Sequence, residues 1–195
     1  MLAVRTLLIC LGLLLVSGCA YRAEEAPVGS WQAQKQQLAA LQDWQLAARL
    51  GIITPEERGS LSLFWRQHSD DYRLNLTNVV GKRVFDLSRR NGRIELVDGE
   101  GRRHTATNAQ ELVYRLTGWN LPVEQLADWI KGLPGEADTV IFDADGRPAQ
   151  VQSHGWQLSY QGYTQIDQLW LPSRLELSHD TTTLKLAVSR WELNP

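Results

Sequence analysis

The 195-residue sequence predicts an α+β fold that is mainly β: about eleven antiparallel strands curling into an incomplete barrel, with helices over its mouth. Three observations carry this. Apolar and polar residues alternate with period two through most of the chain from Asp43 onward, as in strands with one dry face and one wet face. Turn chemistry (Asn-Gly, Asp-Gly, Ser-Asp-Asp) interrupts those runs about every ten residues, the spacing of an antiparallel meander. One segment, residues 107–131, changes to helical periodicity between two sets of strands. A sheet of that many antiparallel strands has to curl, because each strand twists against the next.

The N-terminus reads as an address. Arg5 precedes an uncharged apolar run over residues 7–16, too short for the ~20 residues of a spanning helix. The run ends in Val16-Ser17-Gly18-Cys19, which resembles the lipobox of bacterial lipoproteins. That resemblance implies a signal peptide over residues 1–18, acylation of Cys19 and an N-terminal lipid anchor. Ala20, where an Asp would resemble an inner-membrane retention signal, points to the outer membrane. Residues 19–30 are polar with Pro27 and Gly29, a tether. Residues 31–195 are then expected to form one domain.

Residues 31–42 are rich in Ala, Gln and Lys and predict a helix. Strands follow. Leu61, Leu63 and Trp65 alternate with Ser60, Ser62 and Phe64; Tyr72, Leu74 and Leu76 alternate with Arg73, Asn75 and Thr77; Phe85 and Leu87 alternate with Val84, Asp86 and Ser88. In residues 116–135, Pro122 suits the first position of a helix. Leu121, Leu126, Trp129 and Ile130 share one face, and Gly132-Leu-Pro-Gly135 stops it. Two readings of this helix stay open: a surface helix lying on a sheet, or a lid over a cavity lined by Trp and Leu. Strands resume at residues 139–142 and 149–152, then with Trp156, Leu158 and Tyr160, with Leu175 and Leu177, and with Leu184, Leu186 and Val188. Trp191 and Leu193 lie on the opposite parity, so a bulge is expected between them and Val188. Candidates for an apolar cavity wall are Leu63, Trp65, Leu74, Leu76, Trp156, Leu158 and Tyr160 from the strands, with Trp119, Leu126, Trp129 and Ile130 from the covering segment. Parity alone leaves open which sheet face is concave.

The formal net charge of −2 argues against nucleic-acid binding, which needs a basic stripe. Eight Trp demand large apolar contact surfaces. Both Cys, Cys10 and Cys19, precede the body, which excludes a disulfide framework or thiol nucleophile there. His68, His104, His154 and His179 have no metal-ligand spacing, and no nucleophile elbow or P-loop occurs. No enzyme, metal or cofactor is expected. Arg89-Arg90 and Arg102-Arg103 read as solvated faces.

The order of parts, with Tyr72-Arg-Leu-Asn-Leu-Thr-Asn78, Leu96-Val-Asp98, Leu116-Thr-Gly118, Pro122 and Leu126-x-x-Trp129-Ile-x-Gly-Leu-Pro-Gly135, resembles the LolB family, outer-membrane receptors of the lipoprotein-sorting pathway. The likeness covers essentially the whole mature chain. It implies a half-barrel whose cavity takes the acyl chains of lipoproteins delivered by a soluble periplasmic carrier of similar, LolA-like fold. It implies anchorage to the periplasmic face of the outer membrane, contact with its lipids and no covalent chemistry; nothing suggests more than a monomer. The physical need is large: a sixteen-carbon chain in water costs about 13 kcal/mol at ~0.8 kcal/mol per methylene. The resemblance also implies that loop 77–82 carries a protruding apolar residue, usually Leu, which helps insert cargo into the membrane. Val80 takes that place and Val79 stands where Pro is common. Rival expectations are a lipoprotein binding another amphiphile, a structural outer-membrane component with a filled barrel, a lipid-anchored hydrolase, or the carrier itself.

Overall fold

The computed structural model describes residues 31–195. The expected signal peptide (1–18), the tether (19–30) and Cys19 lie outside the described residues. The order is α1 (Trp31–Ala40), β1 (Asp43–Ile53), β2 (Arg58–His68), β3 (Asp71–Thr77), β4 (Arg83–Arg90), β5 (Arg93–Asp98), β6 (Arg103–Ala106), α2 (Ala109–Thr117), α3 (Val123–Trp129), β7 (Thr139–Phe142), β8 (Pro148–Ser153), β9 (Trp156–Ile166), β10 (Leu169–His179) and β11 (Thr182–Leu193).

All eleven strands form one antiparallel sheet in the order β6-β5-β4-β3-β2-β1-β11-β10-β9-β8-β7. The chain walks outward from β1 to the edge strand β6, crosses through α2 and α3 to the far edge β7, and walks back to pair β11 with β1. The edges β6 and β7 are not joined to each other, so the barrel is incomplete. The helical crossover spans the opening, which places α3 against the concave face. That face carries the alternate apolar residues: Leu63, Trp65, Leu74, Leu76 and Leu87 are all buried.

The expected phase slip is a bulge. Ala47 pairs with Arg190 but Ala48 pairs with Val188, leaving Ser189 out of register; its hydroxyl donates to the Ala47 carbonyl at 3.0 Å. The extra residue returns Trp191 to the interior, where its ring packs 5.5 Å from that of Trp44. Asp86, expected on the wet face, does point outward but is 7% exposed. Arg73 covers it, donating through Nε at 2.9 and 3.1 Å.

The helical stretch divides in two at 118–122, and Pro122 precedes α3 rather than opening it. Its ψ of 70° is not helical, yet its carbonyl accepts the first helical bond, from Leu126 N at 2.8 Å. At the other end, Gly132 at φ +77° carries the chain out of the helix. Gly132 N donates to Trp129 O and Leu133 N to Asp128 O, at 2.9 and 3.0 Å, the two bonds of a Schellman stop. A Cβ at Gly132 would meet Pro172 Cγ at 3.3 Å. Gly132→Ala should therefore lower stability by about 1–2 kcal/mol, measured as a shifted urea midpoint with an unchanged slope.

Candidate functional site: an apolar cavity under a short helix

Between α3 and the concave face lies a cavity of about 30 Å³ walled by apolar side chains alone. Its floor is built from six neighbouring strands: Leu50 of β1, Leu63 and Trp65 of β2, Leu74 and Leu76 of β3, Phe85 and Leu87 of β4, Leu177 of β10, and Leu184 and Leu186 of β11. Its roof is Leu121, Val123, Leu126 and Ile130. The first-to-last strand pairing brings these together, since Leu50 faces Leu61 on one side and Leu186 on the other. A water needs ~10–15 Å³ but also two or more polar partners, so a space of this kind stays dry. With no titratable group in the wall, it can shelter hydrocarbon and cannot transfer a proton or attack a bond.

Of the eleven residues the sequence nominates, Leu63, Trp65, Leu74, Leu76, Leu126 and Ile130 line this space. Trp119, Trp129, Trp156, Leu158 and Tyr160 are buried but do not line it. Trp129 packs 6.3 Å from Trp156, and Tyr160 Oη donates to the Trp129 carbonyl at 2.9 Å. Burial holds the Tyr160 hydroxyl well above its ordinary pKa, so it stays a donor. These side chains clamp the C-terminal end of the roof. Trp119 clamps the other end: its ring packs 6.3 Å from Phe85, and its Nε1 donates to the Glu57 carboxylate in the β1–β2 turn. The roof is thus a seven-residue helix held at both ends, with its middle facing the cavity.

Reasoning from the sequence alone missed Leu50, Phe85, Leu87, Leu121, Val123, Leu177, Leu184 and Leu186 as wall residues. Leu184, Leu186 and Leu177 had the right parity; the missing signal was that β11 lies beside β1, with β10 next to it.

The β3–β4 hairpin tip presents Val79 and Val80 to solvent, 70% and 82% exposed. Asn78 explains why they stand out. Its Oδ1 accepts from Val80 N at 3.1 Å and Lys82 N at 2.9 Å, and Asn78 N donates to Lys82 O at 2.9 Å. The tip's polar backbone groups turn inward on Asn78, so the apolar side chains are left outside. The histidines are scattered: His68 pairs with Asp43, His104 with Asp98, His154 contacts Ser153, and His179 lies on Trp156. Arg102 and Arg103 pair with Asp98 and Glu95.

Comparison with known proteins agrees with this architecture. A LolA superfamily protein from Nitrosomonas europaea is similar in fold, with a TM-score of 0.54 at 10% identity over 85% of this chain and 94% of that one. A DUF1329 family protein from Desulfovibrio piger gives 0.54 at 10% identity, covering 83% and 90%. At the level of sequence, the Outer-membrane lipoprotein LolB of Aeromonas salmonicida is 41% identical over 181 residues, 93% of each chain. That of Tolumonas auensis is 37% identical over 188 residues, 96% of this chain and 95% of the relative. The profile of the family described as Outer membrane lipoprotein LolB matches residues 42–191, a span that takes in the whole curled sheet and its helical roof up to Trp191. The chain belongs to the LolB family.

Proposed function

We propose that this protein is the outer-membrane receptor of lipoprotein sorting: it accepts acylated lipoproteins from a soluble carrier of similar, LolA-like fold and passes them to the outer membrane. Membership of the LolB family supports this reading, and the likeness to a LolA superfamily fold supports a carrier of matching architecture. The observation that carries the mechanism is the all-apolar space between α3 and the sheet. At about 30 Å³ the space is far smaller than an acyl chain, so loading requires α3 to move away from the floor. The clamps at Trp119 and Trp129 leave the middle of the roof, around Leu126, as the part free to lift. Hydrocarbon then replaces side-chain contacts, and the ~0.8 kcal/mol per methylene that drives chains out of water is satisfied without any chemical step. Because the bilayer offers the same stabilisation, release to the membrane needs no further energy source. Cys19 acylation would hold the protein at the periplasmic face of that membrane, acting as a monomer, with Val79 and Val80 reaching the lipid.

The test is transfer. Carrier loaded with a radiolabelled triacylated lipoprotein is mixed with the mature chain bearing Cys19→Ala, and the two are separated by an affinity tag. Cargo is expected to move to this protein. Cargo that stays on the carrier, with this protein folded, would reject the proposal.

A further inference from the structure

We propose that the polar groove beside the apolar cavity seats the ester and amide carbonyl oxygens at the head of a multiply acylated ligand, with the Tyr72 hydroxyl and the Lys131 ammonium as donors. This rests on the reading of the cavity as an acyl-chain site and specifies the head group that follows the chains.

The groove has a volume of about 360 Å³ and lies between the end of α1, α3 and the β2–β3 turn. It adjoins the cavity directly. Val123 lines both; Ile130 lines the cavity and Lys131 lines the groove; and the Trp65 ring of the cavity wall is 6.3 Å from the Tyr72 ring of the groove. A chain lying in the cavity and leaving past Val123 enters the groove at its first polar atoms.

Two buried donors wait there. Tyr72 is 7% exposed, and its hydroxyl finds no hydrogen-bond partner among the described residues. A buried phenol without a protein partner is satisfied by water or by a ligand. Burial first, and then nearby Glu124, push this phenol above its ordinary pKa while Arg89 pulls the other way, so it stays protonated and able to donate. Lys131 is 6% exposed, with Nζ 3.2 Å from Asp128 Oδ1 and 3.4 Å from the Leu38 carbonyl. An ammonium has three donors, so one remains beyond these two.

The charges in the groove select the ligand. Arg89 and Lys131 face Asp70, Glu124 and Asp128, a balance that gives no advantage to a phosphate head. Ester and amide carbonyls are neutral and accept without donating, which matches unpaired donors in a site of no net positive charge.

Two probes with the same chains decide the matter: dipalmitoylglycerol, with two ester carbonyls, and its dihexadecyl ether, with none. Their affinities are measured by displacement of a fluorescent fatty acid from the mature Cys19→Ala chain. The parent is expected to prefer the ester about three- to tenfold, the range of one or two net hydrogen bonds. In Tyr72→Phe the preference should fall below about twofold, with ether affinity unchanged and thermal stability equal to or above the parent's, because an unpaired buried hydroxyl has been removed. Lys131→Met should reduce the preference in the same sense. Ester preference retained in full by both variants would overturn the assignment. So would equal loss of both probes in Tyr72→Phe, which marks a purely structural role. If the parent binds neither probe, the cavity reading itself fails, a result distinct from loss of ester preference alone.

Discussion

Replacing Val80 by glutamate is expected to leave folding and cargo receipt intact and to slow delivery of cargo into the outer membrane by at least about tenfold. The structural part of this follows from exposure. At 82% exposed, Val80 contributes little to the core, and surface changes of this kind stay within about ±0.5 kcal/mol. The hydrogen bonds that shape the tip run through its backbone and Asn78, so a new side chain at this position does not unmake the turn. The functional part follows from the proposal that the tip meets lipid. Burying one Val side chain is worth ~1.5 kcal/mol or more, and each 1.4 kcal/mol is a factor of about ten in a rate or equilibrium; a carboxylate adds its own desolvation cost. The measurement is transfer from the loaded protein to liposomes, set beside transfer from the carrier to the protein. Val80→Leu supplies the opposite sign, since a larger apolar side chain should insert at least as fast as Val. Wild-type delivery by Val80→Glu would remove the tip from the mechanism and leave its exposed valines without a role in insertion.

The strands were legible because burial follows parity so closely along them. β2 and β3 show their wet and dry faces at Ser62 and Leu63, Arg73 and Leu74. Even the bulge at Ser189 could be read from the mismatch between Val188 and Trp191. The curl and its opening were legible from the number of strands and the helical interruption. Two things were not. Parity is a local property, whereas the cavity floor depends on β1 pairing with β11, a contact between residues some 140 apart in the chain. Without it, Leu50 and Leu186 give no sign of belonging together, and Trp156, Leu158 and Tyr160 look equivalent to Leu63 and Leu74. They differ in that Trp156 packs against the Trp129 ring and Tyr160 bonds the Trp129 carbonyl instead of facing the cavity. The polar groove escaped notice for a related reason: Tyr72 alternates correctly and so reads as an ordinary core residue. Its lack of a partner appears only when α1, α3 and the sheet are placed around it.

Leu126→Ala is expected to weaken the folded state and strengthen acyl-chain binding, two effects of opposite sign from one cause. Leu126 lies in the middle of the roof, lines the cavity and is only partly buried. Full burial of a Leu gives losses of 2–5 kcal/mol on truncation to Ala, so a loss of about 1–2 kcal/mol is the reasonable figure here. If the roof must lift before a chain can enter, the contacts Leu126 makes with the floor belong to the closed state alone. Removing them raises the fraction of open molecules, and the apparent dissociation constant falls in inverse proportion to that fraction. One to two kcal/mol then corresponds to about five- to thirtyfold tighter binding, read by displacement of a fluorescent fatty acid, while urea unfolding reports the lost stability. A rigid preformed pocket predicts otherwise: truncating its wall would remove contacts with the ligand as well, and affinity would fall along with stability. The sign of the affinity change therefore separates a gated cavity from a static one. Tighter binding carries a second consequence, because the receptor and the bilayer compete for the same chains and a more open receptor keeps a larger share at equilibrium. Leu126→Ala should accept cargo readily from the carrier and, at equilibrium with liposomes, retain a larger share of it than the parent. That places the native Leu126 at a compromise in which the closed roof weakens binding enough for the bilayer to win.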